Sequence, residues 1–236
     1  MKLLAVDTSG AACSAALWAN GAVISSRRRE MFRGQAEALM PMAAEVMREA
    51  RMGFAALDLI AVTIGPGSFT GLRTGLAAAR GIALAQSIPL IGVTTTEVIA
   101  LAAGRNRADG GSARPITVVL NSRRDDLYAQ HFFADLTPVG EPFAASPEDI
   151  ARSAPEGDVI FAGDATARIV DIVRDWTASP DYSYFSVSGA DAEFVAEVAV
   201  DRWSNGKVPE SDFQSEILYL RAPDAVRPAE QGRLRQ

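Results

Sequence analysis

The chain has 236 residues, 48% of them hydrophobic and 22% charged, a balance ordinary for a water-soluble globular protein. That length allows one large domain or two small lobes, with a core that needs no disulfide or structural metal. Lys and Arg number 23 against 29 Asp and Glu, a net charge of −6. A protein that grips nucleic acid alone usually carries a basic surplus, so any such role here runs through a local patch or a partner.

No run approaches the roughly 18 apolar residues of a spanning helix, so no membrane partner is expected. The opening run Leu3 to Val6 stops at Asp7, before a signal-peptide core of about 7–15 residues could form. It reads as a buried first strand. Cys13 is the only cysteine, so no internal disulfide is possible, which fits a cytoplasmic protein.

Ala12 to Trp18 and Ala22 to Arg29 follow as strands joined by Asn20-Gly21, a strong two-residue hairpin signal. Leu39, Met42, Val46 and Met47 recur at helical spacing within Gly34 to Arg51. Leu59 to Ile64 is a buried strand ended by Gly65-Pro66-Gly67. A helix then starts with Ser68 or Thr70 as N-cap and runs to about Gln86. Pro89 to Val93 is a strand and Thr94 to Ala103 a helix, and Gly104 to Pro115 reads as a linker. The pattern then restarts. Ile116 to Leu120, Leu127 to Phe133 and Gly140 to Phe143 are strands, Pro147 to Ser153 is a short helix, and Val159 to Ala162 is a strand. Ala165 to Trp176 and Ala192 to Trp203 are helices, and Ala222 to Gln236 is a tail.

The restart matters, because LLAVDTSGAACSAALW and ITVVLNSRRDDLYAQHF share one layout. Asp7 corresponds to Asn121 and Thr8 to Ser122. Two β-β-β-α-β-α lobes point to an α/β protein of actin-like (acetate-kinase/Hsp70-like) architecture. Residues 1–104 form one lobe, 115–221 the other, and 222–236 the tail.

GPGSFTG, Gly65 to Gly71, lies at a strand-to-helix turn, where backbone N–H groups can hold an anion. It lacks the Lys-Ser/Thr of a P-loop, the spacing of a dinucleotide fingerprint and the first glycine of a nucleophile elbow. A tight turn needing Gly and Pro accounts for it equally well. The following helix carries Gly71, Gly75 and Gly81 beside Ala78 and Ala79. An interior glycine costs roughly 1 kcal/mol relative to alanine, so the set implies close backbone approach. The neighbour is either the Met-rich helix of the same chain or a helix of another. Asp7 either orients a metal-bound nucleotide or water, or caps its own turn through Thr8 and Ser9. His131 is the only histidine, so neither H-x-x-x-H nor H-E-x-x-H exists. Arg27-Arg28-Arg29 reads as an exposed edge-strand cluster.

On these segments the chain resembles the TsaB (YeaZ) family of bacterial tRNA threonylcarbamoyladenosine biosynthesis proteins. The likeness is carried by the opening LLAVDTSGAACSAALW, the Gln35 to Pro41 helix start, IGPGSFTGLRTGLAAARGIAL, IPLIGVTTTEVIA, the NSRRDDLYAQ hairpin and the late ILYLR. It implies a non-catalytic subunit that dimerises with and activates a catalytic paralogue, TsaD, with an ATPase, TsaE, joining the assembly. Together they form N6-threonylcarbamoyladenosine at adenosine 37 of tRNAs reading codons that begin with adenine, so tRNA is met through the complex. The paralogue's metal-binding H-x-x-x-H falls here on Thr95 and Ile99, and isoleucine cannot ligate a metal.

The resemblance further implies an association surface on the first lobe. It comprises Gln35, Leu39 and Met42 of one helix, and Leu72, Arg73, Gly75, Leu76, Ala79 and Arg80 of the next. It also implies a homodimer when the chain is alone. Asp7, Thr8 and Ser9 become a vestigial nucleotide loop, with no metal or cofactor expected and nucleotide binding left open. Two departures stand out: Asn121-Ser122-Arg123 replaces a D-A-R hairpin, and Ile217 replaces a proline in the late motif. An actin-fold small-molecule kinase using Asp7 and a homodimeric scaffold unrelated to tRNA are the alternatives.

Overall fold

The computed structural model describes residues 1–106, 113–174, 182–206 and 216–220. The first lobe contains β1 (Lys2–Asp7), β2 (Ala12–Ala19), β3 (Ala22–Glu30), α1 (Gln35–Glu49), β4 (Leu59–Gly65), α2 (Phe69–Gln86), β5 (Leu90–Thr94) and α3 (Thr95–Arg105). The rest contains β6 (Ile116–Asn121), β7 (Leu127–Phe132), β8 (Pro138–Ala145), α4 (Pro147–Ser153), β9 (Ile160–Gly163), α5 (Thr166–Val173), β10 (Ser183–Ser186) and α6 (Ala192–Ser204). Nearly every expected element is present. β10 and a 3-10 turn at Phe54–Ala56 are additional. The linker core 107–112 and the tail 222–236 lie outside the described residues, as does the end of the helix expected to reach Trp176.

Local chemistry explains the boundaries. Asn20 and Gly21 take φ of 56° and 85°, the two left-handed residues of a type I′ hairpin. Ser68 caps α2 by accepting from the Gly71 N–H, and Thr94 and Glu97 close a capping box on α3. Of the two caps offered for α2, Ser68 is the one used.

The strands form two five-stranded sheets, ordered β3-β2-β1-β4-β5 and β10-β9-β6-β7-β8. Read from its far end, the second order repeats the first. In each, an antiparallel three-strand meander is followed by parallel strands. This is the duplicated actin-like α/β fold. The first sheet is covered on both faces, which explains why β1 and β4 read as continuous apolar runs rather than alternating ones. One face packs Leu4, Val6, Ile60 and Val62 against Leu39, Val46 and Met47 of α1 and Leu76 and Ala79 of α2. The other packs Leu3, Ala5, Leu59 and Ala61 against Val195, Ala196 and Ala199 of α6. α6 therefore follows the second sheet in sequence but covers the first in space. It is bolted there by Arg202, whose guanidinium bonds the Gly92 carbonyl at 2.5 Å and the Glu97 carboxylate at 2.5 Å. α3 lies between the sheets, with Val98 in the first core and Ile99 and Ala103 against Ile116 and Phe132 of the second.

Candidate functional site

The sharpest constellation lies where β1, β4 and the N-terminus of α2 meet. Asp7 is fully buried at the end of β1. Its Oδ1 accepts from the Ser9 N–H at 3.1 Å and from the Thr63 hydroxyl at 2.5 Å, while Oδ2 has no partner. Burial, only partly offset by these hydrogen bonds, pushes its carboxyl up to about 6. The Ser9 hydroxyl is also buried without a partner.

What seals Asp7 is backbone. The Ser68 N–H donates to the Ser9 carbonyl at 2.7 Å, and the Thr8 hydroxyl donates to the Gly71 carbonyl at 2.7 Å. A Cβ at Gly71 would overlap the Thr8 carbonyl oxygen, and one at Gly75 would lie 2.6 Å from Thr8 Oγ1. On the opposite side a Cβ at Gly10 would lie 2.7 Å from Gly189 Cα, and the Ala11 N–H donates to the Ser188 carbonyl at 2.8 Å. The β1–β2 loop is thus clamped between α2 and the segment leading into α6.

Gly71 and Gly75 therefore owe their place to Thr8 of the same chain rather than to a partner helix. The association residues divide in the same way. Leu39, Met42, Leu72, Leu76 and Ala79 are at most 5% exposed, and Gly75 is buried. These six are core or packing residues of this chain. Arg73 and Arg80 are exposed and Gln35 is half-buried. An outer row on the same helices, of which the sequence reading took only Gly81 as a point of close approach, is exposed: Met40 at 42% and Leu84 at 68%, with Ala77, Gly81 and Ala85. An apolar groove lined by Met40, Phe54, Ala78, Gly81, Ile82 and Ala85 runs between α1 and α2. A Cβ at Gly81 would meet nothing within 4 Å. The signal that could have found this row is the helical face one position removed from the core stripe.

The late segment 216–220 crosses back onto α2. The Leu218 N–H donates to the Ile64 carbonyl at 2.8 Å, and Tyr219 packs on Phe69 with ring centroids 5.6 Å apart. Arg73 sits 3.7 Å over the Phe69 ring and donates through Nε to the Tyr219 hydroxyl at 3.3 Å.

The two positions matching a metal-binding motif do not fit a metal. Ile99 is 1% exposed within the second core, and Thr95 is buried. His131, on β7, is held between the Thr117 hydroxyl at 3.0 Å and the Ser153 hydroxyl at 3.2 Å. Burial lowers its pKa. In the second lobe Asn121 Oδ1 accepts from the Arg123 N–H at 2.7 Å, and the Asn121 N–H donates to Asp164 at 2.8 Å.

Comparison with known proteins fits this geometry. The chain is 32% identical over 135 residues to the tRNA threonylcarbamoyladenosine biosynthesis protein TsaB of Escherichia coli, covering 57% of this chain and 56% of that one. It is 30% identical to the Haemophilus influenzae protein of the same name, covering 54% and 52%. The matches thus span about half the length of these curated relatives. The solved structure of YeaZ from Pseudomonas aeruginosa superposes with a TM-score of 0.80 at 27% identity, covering 93% of this chain and 99% of that one. The model of the family described as TsaD, tRNA N6-adenosine threonylcarbamoyltransferase, matches residues 29–202. The chain belongs to that threonylcarbamoyltransferase family and, within it, is TsaB/YeaZ-like.

Proposed function

We propose that this chain acts in forming N6-threonylcarbamoyladenosine in tRNA as the non-catalytic partner of a catalytic paralogue of its own fold. The observation that carries this reading is the pair Thr95 and Ile99. They stand where the paralogue's metal-binding histidines would be, and one of them is a core residue. Against the kinase alternative stands the fully buried Asp7, whose loop is packed between α2 and the segment leading into α6. The action is mechanical: preferential binding to the competent conformation of the catalytic subunit raises the population of that conformation.

The association surface, on this reading, is the outer row of α1 and α2. Met40, Ala77, Gly81, Leu84 and Ala85 form its apolar part, with Gln35, Arg73 and Arg80 beside it. An apolar centre with arginine at its margin is the usual composition of a protein interface. When the chain is alone the same surface pairs two copies. The ATPase TsaE joins the heterodimer, and tRNA meets the assembly.

The test is reconstitution of threonylcarbamoyl transfer onto unmodified tRNA from the catalytic paralogue, the ATPase, the threonylcarbamoyl adenylate and ATP, with and without this chain. Transfer is expected only when the chain is present, with none from the chain alone. Transfer unaffected by its omission overturns the reading and leaves the scaffold alternative. For the surface, Leu84→Glu and Met40→Glu are expected to keep the thermal unfolding midpoint within a few degrees. Both are expected to weaken co-elution with the paralogue at least about tenfold, the scale of interface hot spots.

A further inference from the structure

The strands of the first sheet end together. Asp7 is opposite Ser14, Ala12 is opposite Glu30, and β1 and β4 run parallel with Val6 beside Val62. The C-terminal ends of β1, β3 and β4 therefore share one rim. At this rim stand three of the five aromatic side chains exposed among the described residues: Phe32 at 83%, Phe69 at 46% and Tyr219 at 49%. The other two, Phe133 and Tyr184, belong to the second lobe.

Arginines accompany these rings, next to Phe32 in sequence and against Phe69 in space. Arg29 and Arg33 flank Phe32, and Arg73 lies between Phe69 and Tyr219. Arg27 and Arg28 are engaged by Glu49 and Asp191, whereas Arg29 and Arg33 pair with no carboxylate among the described residues. The carboxylates nearest in sequence to these groups are Glu30, itself paired with Arg28, and Glu37 and Glu216. The loop that presents Phe32 is held in place by its neighbours. The Met31 N–H donates to the Ala11 carbonyl at 3.0 Å, and Gln35 Nε2 donates to the Met31 carbonyl at 3.1 Å. The anchored loop thus packs Met31 against the first core and turns Phe32 outward. Nothing in the fold rewards that placement.

Aromatic faces alternating with guanidinium groups are what an unpaired RNA strand needs, because bases stack on the rings and phosphates pair with the cations. We propose that this rim, formed by Arg29, Phe32 and Arg33 with the Phe69–Tyr219 pair, contacts an unpaired stretch of the tRNA. The proposal rests on the tRNA-modification reading above. It also accommodates the net charge of −6, since a local patch presented within a complex needs no basic surplus over the whole chain.

The probe is an unmodified anticodon stem–loop RNA, titrated onto the complex of this chain with the catalytic paralogue and onto the isolated chain, with photocrosslinking of each mixture. Phe32→Ala and Arg33→Glu are each expected to weaken RNA binding by the complex about tenfold. Arg33→Glu also flattens its salt dependence. Co-elution with the paralogue stays at the wild-type level, and Tyr184→Ala on the other lobe changes nothing. Rim variants that bind and crosslink RNA like the wild type overturn the proposal. So do rim variants that lose the paralogue instead, because the rim is then a protein contact. If no complex forms, the tRNA-modification reading fails separately. A Phe32-dependent crosslink to the isolated chain then upholds the RNA contact, and its absence overturns it.

Discussion

The two lobes start with the same turn and use it differently. In the first, Asp7 Oδ1 accepts from the N–H two residues on, and in the second Asn121 Oδ1 does the same for Arg123. Each following parallel strand ends in a glycine of positive φ, Gly65 at 112° and Gly163 at 132°. Yet Asp7 is fully buried and Asn121 is exposed. The cause lies in the helix that follows. Gly71 and Gly75 let α2 settle onto the Thr8 backbone, whereas in the second lobe the Asp164 carboxylate meets the Asn121 N–H and leaves the loop open to water. A duplicated scaffold thus carries one closed loop and one open loop, and the closed one retains a carboxylate with an unpartnered oxygen.

The most drastic way to break this contrast is Gly71→Ala. The new methyl overlaps a backbone carbonyl that cannot rotate away, so a loss of about 4 kcal/mol or more is expected in urea unfolding. A loss under about 1 kcal/mol would show that α2 does not rest on the loop as described.

Asp7→Asn comes next. The carboxyl titrates at about 6 in the fold against 3.8 as the reference value, so the folded chain binds the proton more readily between those limits. Stability therefore falls as pH rises through that window, by about 3 kcal/mol in all, because each tenfold difference in proton affinity is worth roughly 1.4 kcal/mol. Asparagine keeps the Oδ1 acceptor and removes the titration. The variant is expected to lose this pH slope when unfolding is compared at acid and neutral pH, and an unchanged slope would place the titration elsewhere. Asn121→Ala, its counterpart in the open lobe, should cost no more than about 1 kcal/mol, the worth of one exposed hydrogen bond.

The smallest effect has the opposite sign. Gly81 sits in the middle of α2 with open space where a Cβ would be, so Gly81→Ala should stabilise the isolated chain by roughly 0.5–1 kcal/mol. Its effect on co-elution with the paralogue then reports how closely a partner helix approaches.

Much of this was legible beforehand. Asn20-Gly21 marked its hairpin, Ser68 or Thr70 and Thr94 marked helix starts, and the repeated strand–polar–strand layout exposed the duplication, because these signals are local. The glycines of α2 were legible as a demand for close approach, but not as to what approaches. Thr8 lies 63 residues from Gly71, and sequence spacing carries no record of that contact. The same limit applies to the partner residues. Helical period gave the stripe of Leu39, Met42, Val46 and Met47, yet only the packed structure shows that this stripe is spent inside the chain. β10 was missed because SYFS is short and its alternation reads as a half-exposed edge.

The late helix α6, which closes the far face of the first sheet, has a consequence for biosynthesis. When β5 leaves the ribosome, Leu3, Ala5, Leu59 and Ala61 have no cover on that side, and the residues that provide it are about 100 positions downstream. At roughly 5–20 residues per second, the nascent chain waits about 5–20 s with an apolar sheet face open. That interval is when a chaperone has most to bind, and when a truncated message would release an aggregation-prone half-lobe.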